Sequence, residues 1–234
     1  MCDTPYAIAW DGSSLWALDN GRTRLVRVDP TTHRSTFDIS LPGTGWAVAI
    51  DGSTAWVSGF AAPTALYEVD LAAHRVVATI NTLDEGPASL AVDASGVWVV
   101  CARSGTGHLD HVDPATATVV GRYTIGWWSI AALAYQGDLY VRGTFGGDIS
   151  RVDTATGALM WTQPGPGFIG RQGIDQIGAT AQGVWLDGPT TTRIDPATGQ
   201  IAEKLLVPST SAAADGSELW LMELDGSVAE FKKK

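Results

Sequence analysis

The sequence predicts an all-β chain folded as a six-bladed β-propeller, and three observations carry that prediction. An aromatic residue recurs just after a tight turn at Trp16, Trp56, Trp98, Tyr140, Trp185 and Trp220, in steps of 40, 42, 42, 45 and 35 residues. A period of about forty residues built only from strand and turn signals marks a propeller, in which each repeat is one small sheet. An Asp-led turn recurs in step with the aromatics, at Asp29, Asp70, Asp113, Asp153 and Asp195. Composition agrees: charged residues are only 17%, glycines number 27, and Val, Thr and Trp recur in short runs, as many short strands joined by tight turns require. The 234 residues can bury a full core as a single domain. The blades fall at approximately 6–41, 46–81, 88–125, 129–163, 174–207 and 211–232.

The first blade turns at Asp11-Gly12, carries Trp16 on its second strand, and turns again at Asn20-Gly21 and Asp29-Pro30-Thr31-Thr32. The second repeats this with Asp51-Gly52, Trp56 and Asp70-Leu71-Ala72-Ala73. The third shows the unit most clearly. Residues 88–92 form a short apolar strand, expected innermost and buried on both faces. The turn 93–96 leads to a second strand at 97–100, the loop 104–107 to a third at 108–112, and Asp113-Pro114-Ala115-Thr116 to an outer strand at 118–123. In these turns the Asp side chain caps backbone N–H groups and Pro presets φ.

The fourth blade contains the glycine-bearing loop 143–148 and the turn Asp153-Thr154-Ala155-Thr156. The fifth contains Asp187-Gly188 and Asp195-Pro196-Ala197-Thr198. Gly157 and Gly199 follow the last two Asp-led turns and supply a left-handed position. The sixth blade turns at Asp215-Gly216 and has strands at 218–222 and 227–231 after Ala212-Ala213-Ala214, so it reads as incomplete. Pro5 precedes Asp11 as Pro87 precedes Asp93, and no spare outer strand is seen at the start. The alternative is that the chain is part of a seven-bladed propeller.

Net charge is −10 with three of the four lysines at 232–234, and an acidic body repels phosphate backbones, so nucleic acid is not expected as a partner. No apolar run approaches the roughly eighteen residues of a membrane-spanning helix. Met1-Cys2-Asp3 leads straight into the first repeat, so no signal peptide is expected within these residues. An extracytoplasmic setting, or a lipoprotein that matures at Cys2, is the expectation for compartment. Cys2 and Cys101 are read as free thiols.

The units (I/L)AVD-x-xG-xVWV and VDPATG-xVV resemble the repeats of the virginiamycin B lyase-like and YVTN-type propellers, with NHL-like and WD40-like propellers similar in architecture. The resemblance covers essentially the whole chain and rests on strands and turns. It implies architecture, and in the lyase itself a metal-assisted elimination carried by Glu and His on late blades. Here His33, His74, His108 and His111 all lie in the first half, and Glu203, Glu218, Glu223 and Glu230 fall on outer-strand or turn positions. The groups that such acid–base and metal chemistry needs are therefore not assembled.

His33 and His74 read as hairpin-turn residues, and His108 and His111, three apart on a strand, point to opposite faces and cannot share a metal. Trp161 is read as a core residue. No nucleophile elbow, HExxH pair, CxxC or phosphate loop occurs. What remains is the face formed by the connections between blades and between second and third strands. It is expected to present Trp46, Phe60, Arg103, Trp127, Trp128, Arg142, Phe145, Phe168, Arg171, Gln172 and Asp175. The 163–172 insertion is its longest loop, and long loops on a compact scaffold tend to carry function.

The reading is a non-catalytic binding module with no catalytic residue and no resident metal or cofactor. Its partner is a protein or a small polar, carboxylated or sugar-like ligand, captured by aromatics and guanidinium groups around a central channel. It is a monomer or an oligomer formed through the edge of the last blade. The rival readings are a metal-dependent lyase or hydrolase holding a divalent ion on carboxylates such as Asp84 and Asp175, and the sensor domain of a larger membrane or regulatory protein.

Overall fold

A computed structural model describes residues 4–59, 64–81, 86–101, 107–126, 129–143, 147–167, 177–214, 218–223 and 228–232. Among them the chain is all strand and turn. Sheet one contains β1 (Pro5–Trp10), β2 (Leu15–Asp19), β3 (Arg24–Val28) and β4 (Ser35–Ser40). Sheet two contains β5 (Gly45–Asp51), β6 (Thr54–Gly59), β7 (Ala65–Asp70) and β8 (Arg75–Ile80). Sheet three contains β9 (Pro87–Asp93), β10 (Gly96–Cys101), β11 (Gly107–Asp113) and β12 (Thr118–Ile125). Sheet four contains β13 (Ser129–Tyr135), β14 (Asp138–Gly143), β15 (Ile149–Asp153) and β16 (Leu159–Gln163). Sheet five contains β17 (Ile177–Thr180), β18 (Gly183–Leu186), β19 (Thr191–Ile194) and β20 (Ile201–Leu205). Sheet six contains β21 (Ser209–Ala214), β22 (Glu218–Glu223) and β23 (Val228–Lys232). Within every sheet the strands follow chain order, as antiparallel meanders; five sheets have four strands and the sixth has three among the described residues. No helix is long and apolar enough to cross a membrane among the described residues.

The chain divides into two compact units, Met1–Arg103 with His108–Arg122, and Ser104–Gly107 with Tyr123–Lys234. In the first, β1 lies beside β5 and β5 beside β9. Sheet one presents Trp16, Leu18, Leu25 and Ile39 to Ala55, Val57, Tyr67 and Val69 of sheet two. Sheet two in turn presents Trp56, Leu66 and Ile80 to Leu90, Val97, Val99 and Val112 of sheet three. The second unit repeats the scheme. Tyr140 and Ile149 of sheet four meet Ile177, Val184, Leu186 and Ile194 of sheet five, and Trp185 of sheet five meets Leu219 and Leu221 of sheet six. Within each unit, sheets one, two, four and five thus lay the side that bears Trp16, Trp56, Tyr140 or Trp185 on the sheet that follows.

The expectation that residues 88–92 are buried on both faces holds only in part: Leu90 and Ala91 are buried, and Ala88, Ser89 and Val92 are intermediate. The first strands are mostly half-buried, with β5 exposed at Asp51 and intermediate from Trp46 to Ile50, whereas β10 is buried at every residue and β6 at all but Thr54. The first strand is an edge of its sheet, and the second has a strand on either side. In sheet two, neighbouring sheets cover both faces as well.

The turns behave as their residues demand. Asp29 accepts hydrogen bonds from the amides of Thr31 (2.7 Å) and Thr32 (3.0 Å), and Asp70 from those of Ala72 (2.9 Å) and Ala73 (2.8 Å). Asp195 does the same for Ala197 at 2.8 Å and Thr198 at 3.2 Å. The fourth residue after each Asp is left-handed: His33 (φ 56°), His74 (56°), Ala117 (53°), Gly157 (71°) and Gly199 (71°). The histidines thus hold the place that glycine fills in later sheets.

A second device, seen in sheets one, three and five, was not legible as such. Trp16 donates its indole N–H to Asp11 at 2.6 Å, Trp98 to Ser95 at 3.1 Å and Asp93 at 3.3 Å, and Trp185 to Thr180 at 3.1 Å. A buried indole needs a partner for its one donor, and the turn residue five positions earlier supplies it.

Candidate binding face

The loops expected to bind emerge where a second strand ends and a first strand begins. In the first unit this end is held by side chains that bond backbone. Asp19, fully buried at the end of β2, accepts from the Thr4 amide (3.1 Å) and from Arg24 Nε (3.1 Å) and Nη2 (3.0 Å). Arg24 reaches on to Asp38 at 3.2 Å. The Asn20 backbone N–H donates to the Thr4 carbonyl at 3.0 Å, and the Asn20 side chain accepts the Gly45 N–H on its Oδ1 at 3.1 Å. Ser58 Oγ, at the end of β6, accepts the Ala47 N–H at 3.0 Å. Together these bonds hold the start of β5, and Trp46 with it.

Trp46 lies against Tyr6 of β1, ring centroids 4.5 Å apart and planes tilted by 47°, and both rings are partly exposed. Burial pushes the Tyr6 hydroxyl pKa up from its ordinary value. Beside them, Gly43 and Gly59 make room for the Tyr67 hydroxyl, which a Cβ would approach to 2.8 and 2.9 Å respectively.

In the second unit the same end is knitted differently. Arg142, at 0% exposure, pairs through Nη1 with Asp187 and donates Nη2–H to the Asp187 carbonyl at 2.8 Å. Gly188, next in the chain, exchanges two backbone hydrogen bonds with Ser209 (3.1 and 3.0 Å), and Thr191 Oγ1 lies 2.7 Å from Ser209 Oγ. Main chains pass closely here: a Cβ on Gly165 would run into the Gly147 carbonyl, and one on Gly188 would lie 3.0 Å from Pro166 Cγ.

Of the residues expected on this face, Trp46 and Arg142 are described. Trp46 stands at the strand end, half-buried beside Tyr6. Arg142 is interior, its guanidinium held by Asp187. Phe60, Arg103, Trp127, Trp128, Phe145, Phe168, Arg171, Gln172 and Asp175 lie outside the described residues, as do Asp84 and Cys2. The sequence reading missed Tyr6, Asn20 and Asp187. Asn20-Gly21 and Asp187-Gly188 read only as turns, because their partners lie 25 and 45 residues away.

The histidines have structural surroundings. His111 stacks flat on Trp98 (4.0 Å, 4°) with Nε2 2.9 Å from the Ser95 carbonyl, and His74 packs on Phe37 at 3.9 Å. Trp161 packs against the Tyr140 cluster, and Cys101 is buried, its Sγ 3.9 Å from the Val99 carbonyl. Glu203 pairs with Arg193 at 3.1 Å. Among the described residues no group of three or more His, Cys, Asp or Glu is placed to hold a metal ion.

No family model matches the chain, and no curated protein sequence matches it. Solved structures do: 1349 chains match in fold, so this likeness speaks to architecture and not to activity. One of them, Kuenenia stuttgartiensis hydrazine synthase, a β-propeller-containing protein, aligns with a TM-score of 0.61 at 13% identity over 99% of this chain and 96% of that one. The sheets, their meander order and this likeness make the fold one of the β-propeller type.

Proposed function

We propose that the chain is a six-bladed propeller, its last blade of three strands, that works as a non-catalytic binding module through the loop face. The observation that carries this reading is the placement of Trp46 and Tyr6. Two partly exposed aromatics stand side by side at the strand ends from which the loops spring, on a backbone fixed by Asn20 and Ser58. Rigid aromatics on a preorganised base favour capture, because little side-chain freedom is lost on binding. The reading also assigns Phe60, Trp127, Trp128, Phe145, Phe168 and Arg171 to binding, with Arg103, Gln172 and Asp175 as polar contacts. Partners are a protein or a small polar ligand; the net charge of −10 disfavours nucleic acid.

The test is the Phe168→Ala/Arg171→Ala double variant, assayed against a ligand first found by thermal-shift screening of sugars and carboxylates. Affinity should fall by roughly tenfold or more, as for a truncated anchor residue, with the melting temperature unchanged. Unchanged affinity would remove this face from consideration. The same plate with Mg²⁺, Ca²⁺ and EDTA separates the module from a metal-dependent lyase or hydrolase, which would respond to the ion and to its chelation.

A further inference from the structure

We infer that the outer edge of β23 takes up an extended strand from a partner polypeptide, acidic at its start and aliphatic at alternate positions after that. This site is independent of the loop face. It rests on one position of the repeat, two residues before the one that lies opposite the recurring aromatic. On the third strands of the six sheets that position is Leu25, Leu66, Leu109, Ile149, Thr191 and Val228. The first five are at 0% exposure and Val228 is at 65%. In sheets one, two, four and five an outer-strand residue lies directly opposite: Ile39, Ile80, Gln163 and Leu205. Among the described residues β23 is the edge of sheet six, so Val228 has no such neighbour. An edge of this kind binds an added strand through main-chain hydrogen bonds, and side-chain positions such as Val228 select which strand.

Sheet two shows what fits. It has Glu68 opposite Trp56, as sheet six has Glu230 opposite Trp220. Its outer strand β8 sets Ile80 opposite Leu66, Ala78 opposite Glu68 and Arg75 opposite Asp70. Asp70 also begins the turn into β8, its carboxylate accepting from the Ala72 and Ala73 amides. The same position in sheet six is Lys232, and the sequence continues with Lys233 and Lys234. Lysine has no acceptor for such a cap, so this turn does not deliver a strand to β23. Its charge is also opposite to that of Asp70, and opposite charges favour pairing across strands. The strand that matches this edge therefore resembles β8 with an acidic residue at the place of Arg75.

The probe is a fluorescein-tagged synthetic peptide copying residues 74–81 with Arg75→Glu, titrated into the full chain by fluorescence anisotropy. It should bind one to one. Adding Ile80→Asp to the peptide, or Val228→Asp to the protein, should weaken it by roughly tenfold or more, because either sets a charge against an aliphatic neighbour. Lys232→Glu tests the charge pairing with Val228 intact: that protein should prefer the peptide with Arg75 unchanged, by about threefold or more. No binding, binding unaltered by Val228→Asp, or a preference unmoved by Lys232→Glu overturns the assignment. A wild-type dimer in light scattering that Val228→Asp makes monomeric also overturns it, since a second copy then holds the edge.

Discussion

Asp11 shows how much one turn residue decides. Its carboxylate meets two opposed effects: partial burial raises its pKa, and hydrogen bonds from the Trp16 indole, the Ser13 amide and hydroxyl and the Ser14 amide outweigh burial and hold it down at about 2, against an ordinary 3.8. A carboxyl whose folded pKa is depressed contributes stability that is fully present above its unfolded pKa and is lost as pH falls through the folded one. Melting temperatures measured from pH 6 down to pH 1.5 should therefore show the wild type losing stability between about 4 and 2. Asp11→Asn should start lower and fall less steeply there, so that the two curves converge near pH 2. Parallel curves would show that the charge plays no part. The Asp-led role was legible in outline, since Asp-Gly before a strand is turn chemistry; the indole bond was not, because it depends on how the strand returns.

At the scale of single elements, the turn between third and fourth strands uses one left-handed position filled by different residues. At Gly199 (φ 71°) an added Cβ would lie 2.7 Å from Gln163 Cγ and 2.9 Å from Trp161 Cε3, on the outer strand of the sheet before it. Gly199→Ala should destabilise by about 1–3 kcal/mol in urea denaturation, from backbone strain and overpacking together. His33 has nearly the same conformation (φ 56°) but is exposed. His33→Gly should therefore stabilise by about 0.5–1 kcal/mol, and a loss of stability there would refute the strain argument.

The connection after β18 is held through Asp187 instead. Asp187→Ala leaves the Arg142 guanidinium buried beside an alanine, and should cost about 3–5 kcal/mol. Arg142→Met/Asp187→Leu, which removes both charges, should recover most of that loss. Equal losses in the single and double variants would mean that packing, and not charge, sets the cost.

Across the whole molecule, repeat period, strand positions and turn chemistry were present in the order of residues, because each is set by neighbours a few positions apart. The aromatics expected on second strands lie on β2, β6, β10, β14, β18 and β22. The Asp-led turns cap their own amides, and the two histidines occupy turn positions as read. Burial of the strands was read less well, because the first strand resembles a core strand in composition yet forms the edge of its sheet. Site composition was harder still. Arg142 looked like a loop-face guanidinium, and only a carboxylate 45 residues on, brought alongside by sheet packing, made it interior. Tyr6 carried no signal, and its place beside Trp46 exists because β1 and β5 lie next to each other. The sequence by itself determined local geometry, since turns and strands need only their own residues. The tertiary structure alone decided that Tyr6 meets Trp46 and Arg142 meets Asp187, since these pairs lie 40 and 45 positions apart and depend on how one sheet stacks on the next.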